Sequence, residues 1–457
     1  MTENKNTSSI TFYGGTGSVT GANFLLDTGE ACILMDCGAI EHENICDISN
    51  AQPFQYDPNT ADVLVVTHAH ADHIGRIPKL VHDGFKGTIY STAATKELAE
   101  LMFADAVIVM EMEMEKKGCT MLYQKADALD ALNLWRTHEY HEPFEVGSTT
   151  IEFFDAGHIL GSTMAKCTRN GRSILFTGDL GNSPEPLLND TETPGGVNYI
   201  VMESVYGDRV HEHRDERVDI LRQAIEDTRA HNGVLLIPSF SIERTQILLY
   251  EIEKMLADGS LSHIPVYLDA PLAIKVTDVF RRYKHLLNPE VQARFAEGID
   301  PFTFEGLNLT SEVAQSHSIH TSPNPKVIIA GAGMSAGGRI RGHEKEYLSD
   351  PRATVLFVGY QAPRSLGRQI ADGLKYVTID GVKVIVQASI KTLTGYSGHR
   401  DRDGLMDFVE HTGETLERVF VVMGEPKSEM FLSQRIRDFL GIDAIAPEQG
   451  QRIEIEL

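Results

Sequence analysis

The sequence predicts a mixed α/β protein: a layered sheet in its first half carries the chemistry, and a second, parallel-sheet region follows. Three observations predict this. Short apolar runs rich in Val, Ile, Leu and Phe end abruptly in small or polar residues (ACILMDCG, DVLVVTHAHADH, TIEFFDAGH, RSILFTGD, NYIVMES). From about residue 206 to 387 the pattern changes to αβ units such as RVDILRQAIEDTRAHNGVLLIPSF, RTQILLYEIEKMLADG and IPVYLDAP. The 457 residues suffice for two or three domains with buried cores, without internal repeats or disulfide staples.

Each apolar run reads as a strand. Between the second and third, KELAELMFADAVIVMEMEMEKK has few breakers and many helix formers, and ADALDALNLWR continues in that style, so the stretch is expected to be helical cover. Its methionines, Met102, Met110, Met112 and Met114, read as core packing rather than as a soft-metal or partner site. Strand-like KVIIAGAG and TVLFVGY follow the αβ units. GVKVIVQASI, a loop GYSGHRD, a helix DGLMDFVEH and a strand RVFVVMGE then close the chain.

Composition excludes several classes. No uninterrupted apolar run approaches the ~18 residues of a membrane span, and the opening MTENKNTSSI lacks the apolar core of a secretory signal, so no membrane partner and a cytoplasmic location are expected. Cys32, Cys37, Cys46, Cys119 and Cys167 are odd in number and lack metal-knuckle spacing; they read as reduced thiols, none a nucleophile. Lys plus Arg is 41 and Asp plus Glu is 65, so the formal charge is 41 − 65 = −24, which disfavours broad attraction to nucleic acid. A polyanion would need a local site, and bound divalent cations are one way to build it.

The residues for such a site are placed where strands end: Asp36, His68, His70, Asp72, His73, His158, Asp179 and Glu203 are expected just beyond strand C-termini. The strongest signal is His68-Ala69-His70-Ala71-Asp72-His73, three imidazoles and a carboxylate within six residues. His68 and His70, two apart in extended chain, can point to one side, while Asp72 and His73 turn toward a second centre as the next helix starts. That arrangement suggests two metal ions. Taken alone, His158 reads rather as a hydrogen-bonded structural histidine and Asp179 as a turn residue.

Their order settles the matter differently: Asp36, HAHADH, His158 and Asp179 resemble, in sequence, the four motifs of the metallo-β-lactamase superfamily. Glu203 in MESVYGD, PSFSIERTQILL, GAGMSAGGRI, LFVGYQAPRSLGRQI and His399 in GYSGHRD are similar to the β-CASP nucleases within it, over nearly the whole chain. The resemblance implies an αββα sandwich, residues 1–205 and 388–457, interrupted by an inserted parallel-sheet domain, 206–387, with RNA entering the cleft between them. It implies that His68, His70 and His158 hold one metal, Asp72 and His73 a second, with Asp179 bridging and Asp36 supporting from outside. It further implies that Ser397 and His399 contact the scissile phosphate and that Glu203 orients His399.

One position departs from the pattern. The family usually presents a histidine before the final Gly-Glu as a ligand of the second metal, whereas this chain has Met423, a poor substitute for imidazole. The second site is therefore expected to be weaker or more open.

The expected function is a zinc-dependent ribonuclease, with Mn²⁺ as an alternative ion, in which a metal-activated hydroxide attacks phosphorus. Asp72 or Asp179 would receive the water proton and His399 would assist the leaving group. Arg244, Arg339, Arg364 and Arg368 are candidate phosphate contacts, with surface or structural roles equally open for each. Endonuclease and 5′–3′ exonuclease modes are not separable in the sequence, and self-association as a homodimer is compatible with it. The competing reading is a non-catalytic RNA-binding or scaffold protein that lost full metal capacity through Met423. Hydrolysis of a small thioester or lactam would leave the insertion and GYSGHRD without a purpose.

Overall fold

A computed structural model describes residues 7–40, 48–211, 216–362, 364–413 and 415–457; Cys46 lies outside them. The chain divides into two compact units, Met1–Val210 with His399–Leu457, and His211–Gly398.

Twenty-two strands are formed by the described residues. In the first unit they are β1 (Thr7–Gly14), β2 (Asn23–Asp27), β3 (Cys32–Met35), β4 (Val63–Val65), β5 (Thr88–Ser91), β6 (Trp135–Thr137), β7 (Phe144–Val146), β8 (Thr149–Asp155), β9 (Thr163–Arg169), β10 (Arg172–Phe176) and β11 (Tyr199–Glu203). The second unit contributes β12 (Val234–Pro238), β13 (Val266–Asp269), β14 (Leu307–Leu309), β15 (Lys326–Ala330), β16 (Ala353–Phe357), β17 (Tyr376–Ile379), β18 (Val382–Ile385) and β19 (Ser389–Thr392). The chain returns to the first unit with β20 (Arg418–Val422), β21 (Asp443–Ile445) and β22 (Arg452–Glu456).

The first unit is two seven-stranded sheets, ordered β22-β1-β2-β3-β4-β5-β6 and β21-β20-β11-β10-β9-β8-β7. Period-two alternation packs them face to face. Ile10, Phe12, Phe24, Leu26, Ile33, Met35, Val63 and Val65 of the first sheet share one core with Ile174, Phe176, Val201, Phe420 and Val422 of the second. The intervening residues of the second sheet, Leu175, Ile200, Met202, Val419 and Val421, meet Leu405, Phe408, Val409 and Leu432 of helices Arg402–Thr412 and Pro426–Arg435. Helices Ile77–His82, Ala93–Lys117 and Lys125–Asn133 lie with the first sheet, where Phe103 packs against Trp135. The order of layers is thus α, β, β, α. A buried Phe at the centre of this stack is worth about 1.5–3 kcal/mol relative to exposure.

The second unit is a six-stranded sheet, β14-β13-β15-β12-β16-β19, in which every pairing is parallel. All five residues of β12 and of β15 are buried, as expected for strands covered on both faces. The β17–β18 hairpin adds Val377, Ile379 and Val384 to that core.

Two sequence expectations are corrected here. The helical reading of ADALDALNLWR fails after Asn133, because Trp135–Thr137 pairs in parallel with β5 and the Trp135 indole N–H donates to Ser91 Oγ at 2.8 Å. Of the four methionines only Met110 is in the core. It falls on the stripe Ala99, Phe103, Val107, Met110, whereas Met112 and Met114 are 48% and 43% exposed near the helix's end.

Candidate metal centre

The strand ends bring the polar residues to one edge of the sandwich. Asp36 follows β3 with φ of 57°, and Glu203 is the last residue of β11 rather than one beyond it. Asp36 is buried and its oxygens are fully engaged: Oδ1 accepts from the Thr67 amide at 2.8 Å, and Oδ2 from Thr67 Oγ1 and His73 Nδ1, each at 2.7 Å. This fixes the His73 ring with Nε2 directed away from Asp36. Thr67 Oγ1 also lies 3.1 Å from His68 Nδ1, leaving His68 Nε2 to face the centre. His70 caps the short helix Ala71–Ile74, which carries Asp72 and His73 round to the other side. Gly178, with φ of 54°, lets the loop after β10 approach Thr67, since a Cβ there would sit 2.7 Å from Thr67 Cβ; Asp179 follows.

Two groups of candidate ligand atoms result, His68 with His70, His158 and Asp179, and Asp72 with His73 and Asp179. In the first, His70 Nδ1 lies 3.1 Å from His68 Nε2 and 3.2 Å from His158 Nε2, while Asp179 Oδ2 lies 3.4 and 3.5 Å from the same two nitrogens. A tetrahedral ion with bonds of about 2.0–2.1 Å has ligand–ligand edges of about 3.3–3.4 Å, so the spacing fits such an ion. In the second group Asp179 presents its other oxygen, Oδ1, at 3.3 Å from His73 Nε2, and Asp72 Oδ2 is 3.9 Å from that nitrogen. His73 Nε2 and Asp179 Oδ1 are both buried without a hydrogen-bond partner. Orphaned buried polar atoms are costly, and a cation between them satisfies both.

The electrostatics set the two groups apart: burial opposes charge on His73, but Asp179 and then Asp36 outweigh it and hold its pKa well above the ordinary histidine value. Burial, and next the charge of a neighbouring imidazole, hold His68 and His70 well below the ordinary histidine pKa, which keeps their ligand lone pairs free. Burial opposes charge on Asp179, but His73 and His68 outweigh it and hold the carboxyl well below its usual range. Burial lifts Asp72 to about 6.

A third group joins the edge, Asp179 with Glu203 and His399. His399 Nδ1 donates to Glu203 Oε1 at 3.1 Å, which also accepts from the Leu180 amide at 2.8 Å. Burial works against charge on this imidazole, yet Glu203, then Asp179, raise its pKa to about 9.

Met423, with φ of 50°, is 2% exposed and belongs to the core between the sheets. Its amide donates to Gly15 O at 2.6 Å, and a Cβ on Gly15 would fall 2.6 Å from its sulfur. The cavity it lines with His73, Glu203 and Asp36 is about 10 Å³, room for one water at most.

Ser397, Arg244, Arg339, Arg364 and Arg368 belong to the other compact unit. Ser397 and Arg244 are buried, and Arg364 is exposed with φ of 72°. Arg368 pairs with Asp372 at 2.9 Å. Arg339 spends both terminal nitrogens internally, Nη1 on Asp269 at 2.6 Å and Thr310 O at 2.9 Å, Nη2 on Ser311 O at 2.5 Å. Sequence reading missed Thr67, which ties Asp36 to two histidines; a threonine after an apolar strand carries no signal of that role.

Comparisons with known proteins place one family match within each unit and a third across the Gly398–His399 boundary. The metallo-β-lactamase superfamily domain matches residues 25–204, the β-CASP domain 245–370, and a Zn-dependent metallo-hydrolase RNA specificity domain 383–447. Ribonuclease TTHA0252 of Thermus thermophilus is 36% identical over 422 residues, covering 92% of this chain and 94% of that protein. The transcription termination factors FttA of Methanosarcina mazei and Pyrococcus abyssi are 29% and 30% identical, covering 96% and 98% of this chain and 70% and 71% of theirs. A solved structure of a protein of unknown function from Enterococcus faecalis V583 shares the fold, with a TM-score of 0.60 at 12% identity, over 98% of this chain and 100% of that one.

Proposed function

The chain belongs to the β-CASP family of the metallo-β-lactamase superfamily, and from that premise we propose that it is a zinc-dependent ribonuclease that cuts RNA phosphodiester bonds internally. The observation that carries this is Asp179, one carboxylate with an oxygen turned to each of two ligand sets and one of those oxygens left without a hydrogen bond. Zinc suits three imidazole nitrogens and a carboxylate at tetrahedral spacing. In the domain assignment of this reading, 206–387 is an insertion between 1–205 and 388–457; the return of the chain to the first unit supports the insertion but comes after Gly398, since Ser389–Thr392 pairs within the sheet of the second unit.

His68, His70, His158 and Asp179 hold the first ion, and Asp72, His73 and Asp179 hold a second more weakly, because Met423 is turned into the apolar core and offers no imidazole. When bound, divalent cations lower the pKa of water and offset charge on the phosphoryl oxygens. Asp72, the partly exposed carboxylate of the second set, would accept the proton of the attacking water. Glu203 keeps His399 protonated and oriented through Nδ1, so that Nε2 gives its proton to the leaving oxygen. Retention of both ligand sets argues against a non-catalytic scaffold.

The test is cleavage of 5′-labelled RNA by the zinc-loaded protein and by His399→Ala. The expected result is internal cleavage by the first, with His399→Ala retaining its metal and cutting roughly 10²–10⁴ times more slowly. RNA left intact by the zinc-loaded protein would contradict the proposal, and metal loss in His399→Ala would show that residue to be a ligand.

A further inference from the structure

We propose that Phe240, in the second unit, is a stacking platform for one nucleobase of the RNA substrate; the inference rests on the ribonuclease reading above. Phe240 stands two residues beyond β12, on the carboxyl edge of the parallel sheet, and is 38% exposed. Crevices outside the carboxyl ends of parallel strands are where open α/β sheets bind ligands. A single exposed aromatic needs no explanation by itself. What distinguishes this one is how it is mounted.

Its backbone is fixed from below by buried polar side chains. Thr245 Oγ1 donates to Phe240 O at 2.7 Å, and Gln246 Nε2 donates to Ser241 O at 3.2 Å. Ser239 Oγ is 3.0 Å from Thr245 Oγ1, and Ser239, Thr245 and Gln246 are all 2% exposed or less. Its flanks are cleared by glycine. β12 lies between β15 and β16, and the loops that follow those two strands bring Gly333 and Gly359 to the ring. A Cβ on Gly333 would fall 2.6 Å from Phe240 Cδ2, and one on Gly359 would fall 3.7 Å from Cε2. The two glycine loops are locked together by the buried Gln361, whose Nε2 donates to Gly333 O at 3.0 Å and to Gly359 O at 3.2 Å. The result is a partly exposed ring on a hydrogen-bonded backbone, flanked by two glycine loops.

Such a surface suits a flat π-system. In a protein acting on single-stranded RNA that is a base, held by stacking and without readout of its edge, so purines and pyrimidines are both accepted. The backbone that carries the ring is held by hydrogen bonds before binding, so little backbone entropy is lost on contact.

The experiment is fluorescence anisotropy with a short fluorescein-labelled phosphorothioate RNA, which resists cleavage, on the zinc-loaded protein, Phe240→Ala and Phe240→Trp, repeated with an abasic strand of the same length. Phe240→Ala is expected to weaken binding roughly 5- to 150-fold on the base-containing strand, Phe240→Trp to preserve it, and the three proteins to bind the abasic strand alike. Equal affinity of Phe240→Ala and the parent for base-containing RNA overturns the platform, as does an equal loss on the abasic strand, which would mark a backbone or folding effect. Failure of the parent protein to bind either strand would overturn the ribonuclease reading itself.

Discussion

Asp179 and Asp269 are both buried carboxylates just past or at the end of a strand, one in each unit, and their surroundings are opposite. Asp269 accepts from Arg339 Nη1, Thr310 Oγ1, Ser316 Oγ and His343 Nε2 at 2.5–2.8 Å, so every lone pair that faces the interior has a donor. Although burial opposes its charge, these donors, His343 first, hold its pKa well below the usual range. Asp179 is ringed instead by the ring nitrogens of His68, His158 and His73 at 3.3–3.5 Å, and its Oδ1 has no donor. A saturated buried carboxylate is a structural rivet; one with an oxygen left without a donor, between two sets of imidazole and carboxylate groups, is a cation site. Burial and proximity to histidine do not separate the two, whereas counting donors does.

The largest expected effect breaks the unsaturated cluster. Asp179→Ala should lower kcat for RNA cleavage by roughly 10³-fold or more, since divalent-ion stabilisation is worth several kcal/mol, while the folded state persists by circular dichroism. Next comes the saturated one. Asp269→Ala leaves the buried His343 Nε2, and one of the bonds of Arg339, without an acceptor and should cost about 3–5 kcal/mol of stability, read as a lower urea midpoint, with metal content per folded chain unchanged.

A pH series sharpens the comparison with a third buried carboxyl. Burial raises Glu344 to about 8 against the hydrogen bond from Ser335, so the folded state binds its proton more tightly than the unfolded chain. Its contribution is fully present below about pH 4, the ordinary glutamate range, and is lost as pH rises through 8. Between pH 5 and 8 the parent should therefore lose stability relative to Glu344→Gln, on the order of 1 kcal/mol per pH unit. Parallel urea midpoints for the two proteins across that range would show the carboxyl is not protonated in the fold. The smallest effect is expected from Met423→His. An imidazole there should tighten the second ion about tenfold at a stability cost of about 1 kcal/mol, because the side chain leaves the core between the sheets. Isothermal titration with zinc reads the first and urea unfolding the second.

The unsaturated cluster was the more legible of the two. His68, His70, Asp72 and His73 sit within six residues after an apolar strand, and Asp36, His158, Asp179 and Glu203 each end an apolar run, but His158 and Asp179 gain their meaning from the order of motifs shared with the metallo-β-lactamase superfamily. The Asp269 cluster draws on residues 269, 310, 316, 339 and 343, which no local pattern links, so the sequence leaves Arg339 open between a phosphate contact and a structural role and does not point to that carboxylate. The fold shows the same division. Strands continuous in Val, Ile and Leu, such as β12 and β15, are visible because both faces are buried. β1, β9 and β22 (TSSITFYG, TMAKCTR, RIEIE) alternate with polar residues and are set by pairing, β22 closing on β1 through Ser8↔Ile455, which sequence does not announce. Met423 was visible as an odd residue at a ligand position, but its burial against Gly15 required the structure.

The most direct measurement is zinc bound per chain, by isothermal titration on the parent, Asp179→Ala and Asp269→Ala after chelator treatment. The account predicts at least one tight site in the parent, its loss in Asp179→Ala and its retention in Asp269→Ala. A parent protein that binds no zinc at saturation, or an Asp179→Ala variant that binds it as tightly as the parent, would contradict it.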